Sequence, residues 1–239
     1  MTKRTNKSSS KPSLAKRIAI VAAKVLLWFV LFSVVWVVAY RFINPPITPL
    51  MVQRNWEREA NDKPAKADRK WVDFEDISDN MKRAAVSAED QLFLKHMGFD
   101  IKAIEKAYAN NAKGKKLRGG STISQQTAKN VFLWQGRSYL RKGFEAYFTL
   151  LIELLWSKER ILEVYLNVIE MGDGIYGAEA AAQAYFGKSC TNLKRREAAL
   201  IAACFPNPRK WTPKNPTRYI RHRQYLIMRN MRRLGPLDF

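Results

Sequence analysis

Residues Ile18 to Tyr40 are 23 consecutive positions with a single charge, Lys24. An α-helix rises about 1.5 Å per residue, and about 20 apolar residues cross a bilayer's hydrocarbon. This stretch therefore predicts a spanning helix and ties the rest of the chain to a membrane surface. Lys24 lies about two turns in, close enough to snorkel back to the interface. Trp36 and Tyr40 lie towards the other end, where amphipathic rings favour the headgroup level. A cleaved signal peptide would show an apolar core of roughly 7–15 residues and a small-x-small cleavage site. Here the run is longer and continues into Arg41-Phe42-Ile43-Asn44-Pro45-Pro46, so it reads as an uncleaved anchor. Residues 1–17 hold six Lys or Arg and no acid, which predicts a cytoplasmic N-terminus and a body on the outer side.

The anchor divides the chain. Residues 1–17, rich in Ser and Lys, read as a disordered tail, and 18–40 as the transmembrane helix. Residues 41–70 are a juxtamembrane segment. Pro45, Pro46 and Pro49 make its first ten residues a stiff linker, and the polar stretch 51–70 reads as a mobile surface segment. Residues 71–239 are one domain by size.

Charge narrows the partner class. The chain carries 42 Lys and Arg against 21 Asp and Glu. Seven of the basic residues fall in the first 40, which leaves 35 against 21, or +14, on the body. Such a body expects an anionic partner, and its outward orientation argues against nucleic acid.

From residue 71 the pattern is helical almost throughout. Apolar spacing and capping residues predict helices over 81–94, 101–111 after Asp100, 123–132 after Ser121, and 139–156 after Ser138. Further helices are expected over 158–170 after Ser157, 178–185, 193–205 and 217–233. No long alternating strand pattern occurs, so the domain reads as mainly α with at most a short hairpin. Cys190 and Cys204 do not make a disulfide framework, and Cys204 reads as a free core residue.

Several chemistries lack their residues. Two histidines and two cysteines, far apart, make no zinc site. No phosphate-binding G-x-x-x-x-G-K-[ST] loop is present. Ser8-Ser9-Ser10-Lys11 and Ser13-Leu14-Ala15-Lys16 match S-x-x-K by letter only, in the tail, without a Lys-Thr-Gly partner.

Carboxylates are the better lead. Glu89 ends a mostly apolar helix, where desolvation would raise its pKa as a general base requires. On local context alone, a surface Glu paired with Lys95 or Arg83 is the stronger reading. Glu145 alone is an ordinary helical ion pair with Lys142 or Arg141. Gly119-Gly120-Ser121-Thr122 entering a helix predicts a backbone N–H cluster for an anion. Gln125 and Gln126 add neutral donors suited to sugar hydroxyls. Lys129 and Arg137 have phosphate-type chemistry, or are simply solvated charge.

These elements occur together in one family. The chain resembles the monofunctional peptidoglycan glycosyltransferases of bacteria, relatives of the glycosyltransferase module of bifunctional penicillin-binding proteins, over about residues 70–230. Five motifs appear in order. The first is Glu89-Asp90-x-x-Phe93-x-x-His96-x-Gly98-x-Asp100. The second is Gly119-Gly120-Ser121-Thr122-Ile123-Ser124-Gln125-Gln126, ending at Lys129-Asn130. Arg141-Lys142 to Glu145 is the third, and Ile161-Leu162-Glu163-x-Tyr165-Leu166-Asn167 the fourth. The fifth is Ala178 to Gly187, followed by Leu193 and Glu197-Ala198-Ala199. Ser124 stands where Thr is common and Thr127 where Leu is common.

The resemblance implies a lysozyme-like helical fold and the polymerisation of lipid II, a disaccharide-pentapeptide on undecaprenyl diphosphate. It implies Glu89 as the base that activates the acceptor 4-hydroxyl, with inversion at the donor anomeric carbon and release of undecaprenyl diphosphate. Glu145 would help to hold the diphosphate, directly or through Mg2+ or Mn2+, with no organic cofactor. Asp90, Phe93, His96, Gly120, Ser121, Thr122, Gln125, Gln126, Lys129, Asn130, Arg137 and Arg141 would line the substrate site, with Asp90 supporting and His96 structural or orienting. The implied partners are the lipid-linked strand, the inner membrane, and proteins of division or elongation. A lysozyme-like hydrolase and a non-enzymatic basic tether are rival readings. Ending at Phe239, the chain is expected to carry no transpeptidase domain.

Overall fold

The structure, a computed structural model, describes residues 13–112, 120–136 and 138–239. Gly119, Arg137 and most of the N-terminal tail lie outside the described residues. The apolar run forms helix α1, Leu14–Phe42, with Ser13 accepting the Lys16 N–H at its start. The linker is shorter than expected and ends at Thr48, which caps helix α2, Pro49–Glu59. Pro49 starts this helix instead of blocking it, because a first-turn residue needs no backbone N–H. Beyond it, Asp68–Arg69 forms strand β1. The segment expected to be mobile is thus ordered in two places.

The domain helices are α3 Asp79–Glu89, α4 Ile101–Ala112, α5 Ile123–Phe132, α6 Tyr139–Leu155 and α7 Lys158–Val168. After them come α8 Gly177–Phe186, α9 Arg195–Ala203 and α10 Arg218–Leu234. Ser78, Ser138, Ser157 and Thr217 cap α3, α6, α7 and α10 by accepting first-turn N–H groups.

Helix boundaries differ from expectation in several places. The helix expected over 81–94 ends at Glu89, because Asp90 turns its carboxylate to a distant partner and the chain continues into a 3-10 turn, Phe93–Lys95. Thr122, not Ser121, caps α5, in a capping box with Gln125. Helix α7 stops at Val168, so that Glu170–Gly172 becomes strand β2. Strand β2 pairs antiparallel with β3, Ile175–Tyr176, as the expected hairpin. The juxtamembrane β1 adds a third strand parallel to β3.

Helices α3, α9 and α10 pack together as one group, and α5, α6 and α7 as another. The core runs through both, from Met81 and Ala85 to Ile123, Ile161 and Leu166, all buried. Glu89 ends α3 at the seam between the groups. Cys190 and Cys204 are free and buried.

Helix α1 packs along α6. Ser33 shares a 2.7 Å hydrogen bond with the Tyr147 hydroxyl, and Trp156 Nε1 donates to Val37 O at 2.8 Å. Trp36 meets Phe132 edge-on at 5.3 Å. Past the end of the helix, Arg160 donates to Tyr40 O at 3.0 Å, Ile43 O at 3.0 Å and Asn44 Oδ1 at 2.9 Å. These bonds satisfy carbonyls that a helix C-terminus leaves unpartnered.

Candidate active site

The site begins with Asp90. Its Oδ2 accepts the Ile123 backbone N–H at 3.0 Å, and His96 Nε2 lies 2.9 and 3.1 Å from its two carboxylate oxygens. A carboxylate at a helix N-terminus is favoured by the unpaired N–H groups and the helix dipole. The glycine-led stretch was expected to present these N–H groups to an external anion. Instead α5 receives the chain's own Asp90, and the capping box satisfies Thr122 and Gln125. Thr122 N–H donates to Gln125 Oε1 at 3.0 Å, Gln125 N–H to Thr122 Oγ1 at 3.2 Å, and Thr122 Oγ1 to Gly98 O at 2.6 Å. Asp90, His96, Thr122 and Gln125, expected along the substrate, are tied into one hydrogen-bonded wall of the site, and Asp90 and Thr122 also line the cleft beside Glu89.

Phe93 is also support. It is fully buried, with the Lys158 ammonium 4.7 Å from its ring centroid. Lys158 Nζ donates to His96 O at 2.7 Å and Glu153 Oε1 at 2.8 Å. Ser124 hydrogen-bonds the same Glu153 oxygen, which gives its hydroxyl a structural use. Thr127, polar where an apolar residue was expected, donates to Ile123 O at 2.9 Å. Gly98 joins this support to α6. Its φ is +79°, and a Cβ there would lie 2.7 Å from Thr149 Cγ2.

In front of this wall, Glu89 Oε2 accepts from Gln126 Nε2 at 2.9 Å. The Tyr165 hydroxyl lies 3.5 Å from Gln126 Oε1, so one amide links the carboxylate to a buried tyrosine. Burial pushes the Glu89 carboxyl above the usual range. Gln126, Arg223 and Lys129 oppose this, while Asp90 adds to it. A cleft of about 200 Å³ opens beside Glu89, lined also by Asp90, Leu92, Asp100, Gly120, Thr122 and the exposed Ser121.

A second cleft, of about 210 Å³, is lined by Gln126 together with Lys129, Asn130, Tyr165, Arg54 and Glu170. None of the ion pairs among the described residues includes Lys129; Arg54 pairs with Glu57 and Glu170, and Arg141 and Lys142 with Glu145. Burial, chiefly, lowers the Lys129 pKa. Arg141, Arg54 and Lys142 lower it further, and Glu145 raises it. Glu145, which alone reads as an ordinary helical ion pair, is buried at 3 % exposure. Arg141 Nη1 donates to its Oε2 at 2.6 Å and Lys142 to its Oε1. With a cation on each oxygen, and no cluster of three His, Cys, Asp or Glu among the described residues, Glu145 does not suit a resident divalent metal. Its carboxylate orients two cations instead.

No motif or spacing singles out Arg54, Glu170 or Arg223. Arg223 Nε donates to Ala203 O at 3.1 Å, and its charge acts on Glu89. It is one of seven Lys, Arg or His side chains in α10, and spacing does not say which of them faces inward.

Residues 57–232 match the family described as transglycosylase. The chain is 50 % identical over 216 residues to the biosynthetic peptidoglycan transglycosylase of Pseudomonas fluorescens Pf-5, covering 90 % of each protein. It is 50 % identical over 223 residues to the protein of the same name in Pseudomonas entomophila L48, covering 93 % of each. The Pseudomonas putida F1 protein of that name is 50 % identical over 213 residues, 89 % of this chain and 90 % of its own.

Proposed function

Because the chain belongs to the transglycosylase family, an enzyme family that polymerises peptidoglycan glycan strands, we propose that Glu89 is its general base and that the two clefts hold the two sugar substrates. The observation that carries this is the Glu89 carboxyl itself. It is desolvated, lines one open cleft, and is aimed by a hydrogen bond from Gln126, which lines the other cleft beside Lys129, a cation with no ion pair among the described residues. A base with a raised pKa takes a proton more readily when its surroundings do not favour its charge.

The acceptor 4-hydroxyl enters beside Glu89 and gives its proton to the carboxylate. Its oxygen bonds to C1 of the donor, on the face opposite the leaving group, with inversion. The bond from C1 to the diphosphate breaks, and its electron pair leaves on the diphosphate oxygen. Lys129 faces that developing charge, with Arg141 and Lys142 behind it on Glu145. Preorganised cations in a water-poor cleft stabilise such charge strongly. Mg2+ or Mn2+ accompanying the diphosphate would add further neutralisation. The donor is lipid II or the growing lipid-linked strand, met at the outer face of the cytoplasmic membrane. In this reading α1 spans that membrane once, with the basic N-terminus inside.

The test is polymerisation of labelled lipid II by the purified full chain. Glu89→Gln should abolish polymer while the protein still unfolds cooperatively; normal polymer yield from the variant would remove Glu89 from this role.

A further inference from the structure

We propose that helix α2, the first structure after the membrane anchor, forms part of the substrate cleft, and that its Arg54 is a binding residue for the substrate diphosphate. The proposal rests on the reading of the Lys129 cleft given above. Arg54 precedes residue 57, where the family match begins, and precedes the five motifs.

The geometry points to a guanidinium held ready. Arg54 lines the Lys129 cleft together with Gln126 and Asn130. Its Nε donates to Glu170 Oε2 at 3.1 Å and its Nη1 to Glu57 Oε2 at 2.6 Å. Among the described residues, Nη2 has no hydrogen-bond acceptor, and it is not one of the buried unpaired atoms. Two of the three guanidinium nitrogens are fixed by carboxylates and Nη2 is left for a ligand. A planar guanidinium with its rotamer already set loses less entropy on binding a diphosphate oxygen. The helix carrying it is also fixed. Leu50 and Met51 are buried, and Gln53 Oε1 accepts the Gln135 N–H at 2.9 Å in the loop after α5.

Charge supports the same reading. A diphosphate ester carries about two negative charges near neutral pH, and Lys129 supplies only one unpaired positive charge. Glu170 shares the cleft and would repel the ligand if it were not paired. Arg209, 3.2 Å from Glu57, shares the load on that carboxylate and leaves more of the Arg54 charge for the cleft.

The experiment uses the purified full chain in detergent, with inorganic pyrophosphate as the probe. Its dissociation constant is measured by calorimetry, alongside its inhibition of lipid II polymerisation. Arg54→Gln should weaken pyrophosphate binding about ten-fold, as expected for one lost charge-assisted hydrogen bond. Arg54→Lys should weaken it less. Glu170→Gln should tighten it several-fold, which a merely structural role for the pair would not produce. Because Arg54→Gln strands the Glu170 carboxylate, Arg54→Gln/Glu170→Gln serves as the folding control. Binding about ten-fold weaker in the double variant than in Glu170→Gln alone, at comparable thermal stability, supports the proposal, and equal binding by those two variants overturns it. Lys129→Ala separates the two levels. If it weakens binding and Arg54→Gln does not, the role of α2 fails alone. If neither weakens binding, the cleft reading fails with it.

Discussion

Gln126 donates its side-chain amide to Glu89 at 2.9 Å and, through its own oxygen, lies within reach of the Tyr165 hydroxyl. The bond opposes the effect of burial on Glu89 and aims the carboxylate at the seam between the two helix groups. Replacing Gln126 with Leu, of similar volume, should raise the Glu89 pKa further. We expect the acid limb of the kcat/KM profile to move to higher pH and the rate at pH 7 to fall about ten-fold. An acid limb at its wild-type position would show that the amide does not act on the base.

The raised Glu89 pKa also sets a stability prediction. Between the ordinary glutamate value and the raised one, the folded chain keeps a proton that the unfolded chain has released. Stability therefore falls as pH rises through that window. Glu89→Gln removes the cost. The variant should melt higher than wild type at pH 7, by roughly 2–4 °C for each kcal/mol recovered. The difference should vanish below the ordinary glutamate range. A variant that melts lower at pH 7 would contradict the burial argument.

Asp90→Asn tests the wall behind the site. It removes the charge that accepts the Ile123 N–H and the His96 ring. Hydrogen bonds to charged groups contribute about 1.5–3 kcal/mol each. We expect a drop of roughly 5 °C or more in Tm, with loss of polymerisation following from displacement of the 90–98 loop. Thermal unfolding followed by circular dichroism checks this, and an unchanged Tm would argue that Asp90 faces substrate instead.

Gly98→Ala should destabilise the chain by about 1–3 kcal/mol. Its backbone is left-handed, and a new Cβ would press on Thr149 and Glu153. Chemical denaturation gives the value directly. Stability equal to wild type would mean that the loop can withdraw from α6 without cost.

Local signals carried much of the fold. Asp100, Ser138 and Ser157 each cap a helix where capping chemistry and apolar spacing place one. The apolar run predicts the body of α1, which begins four residues earlier, in the tail expected to be disordered, and ends two residues later. The failures share one cause, which is dependence on distant partners. Asp90 leaves its helix for Ile123, 33 residues away. Pro49 looks like a helix breaker until Thr48 is seen to cap the turn it starts. Asp68 joins a strand only because Gly174, far along the chain, offers its carbonyl. At the site, Glu89 was legible as a carboxylate in apolar company. Arg54 was not, because in a chain with 42 basic residues periodicity cannot say which one turns inward.

Arg160 grips the exit of α1 through two carbonyls and a side-chain amide, and Tyr147 and Trp156 fasten α6 along the helix below. A flexible leash would let the catalytic body wander over a hemisphere above the bilayer. A rigid bracket holds it in one attitude. With α1 seated in a bilayer, the clefts would stand at a set height and heading over the lipid. A substrate diffusing in two dimensions needs to find only the right place, because the enzyme's side of the orientational search is settled when the chain folds.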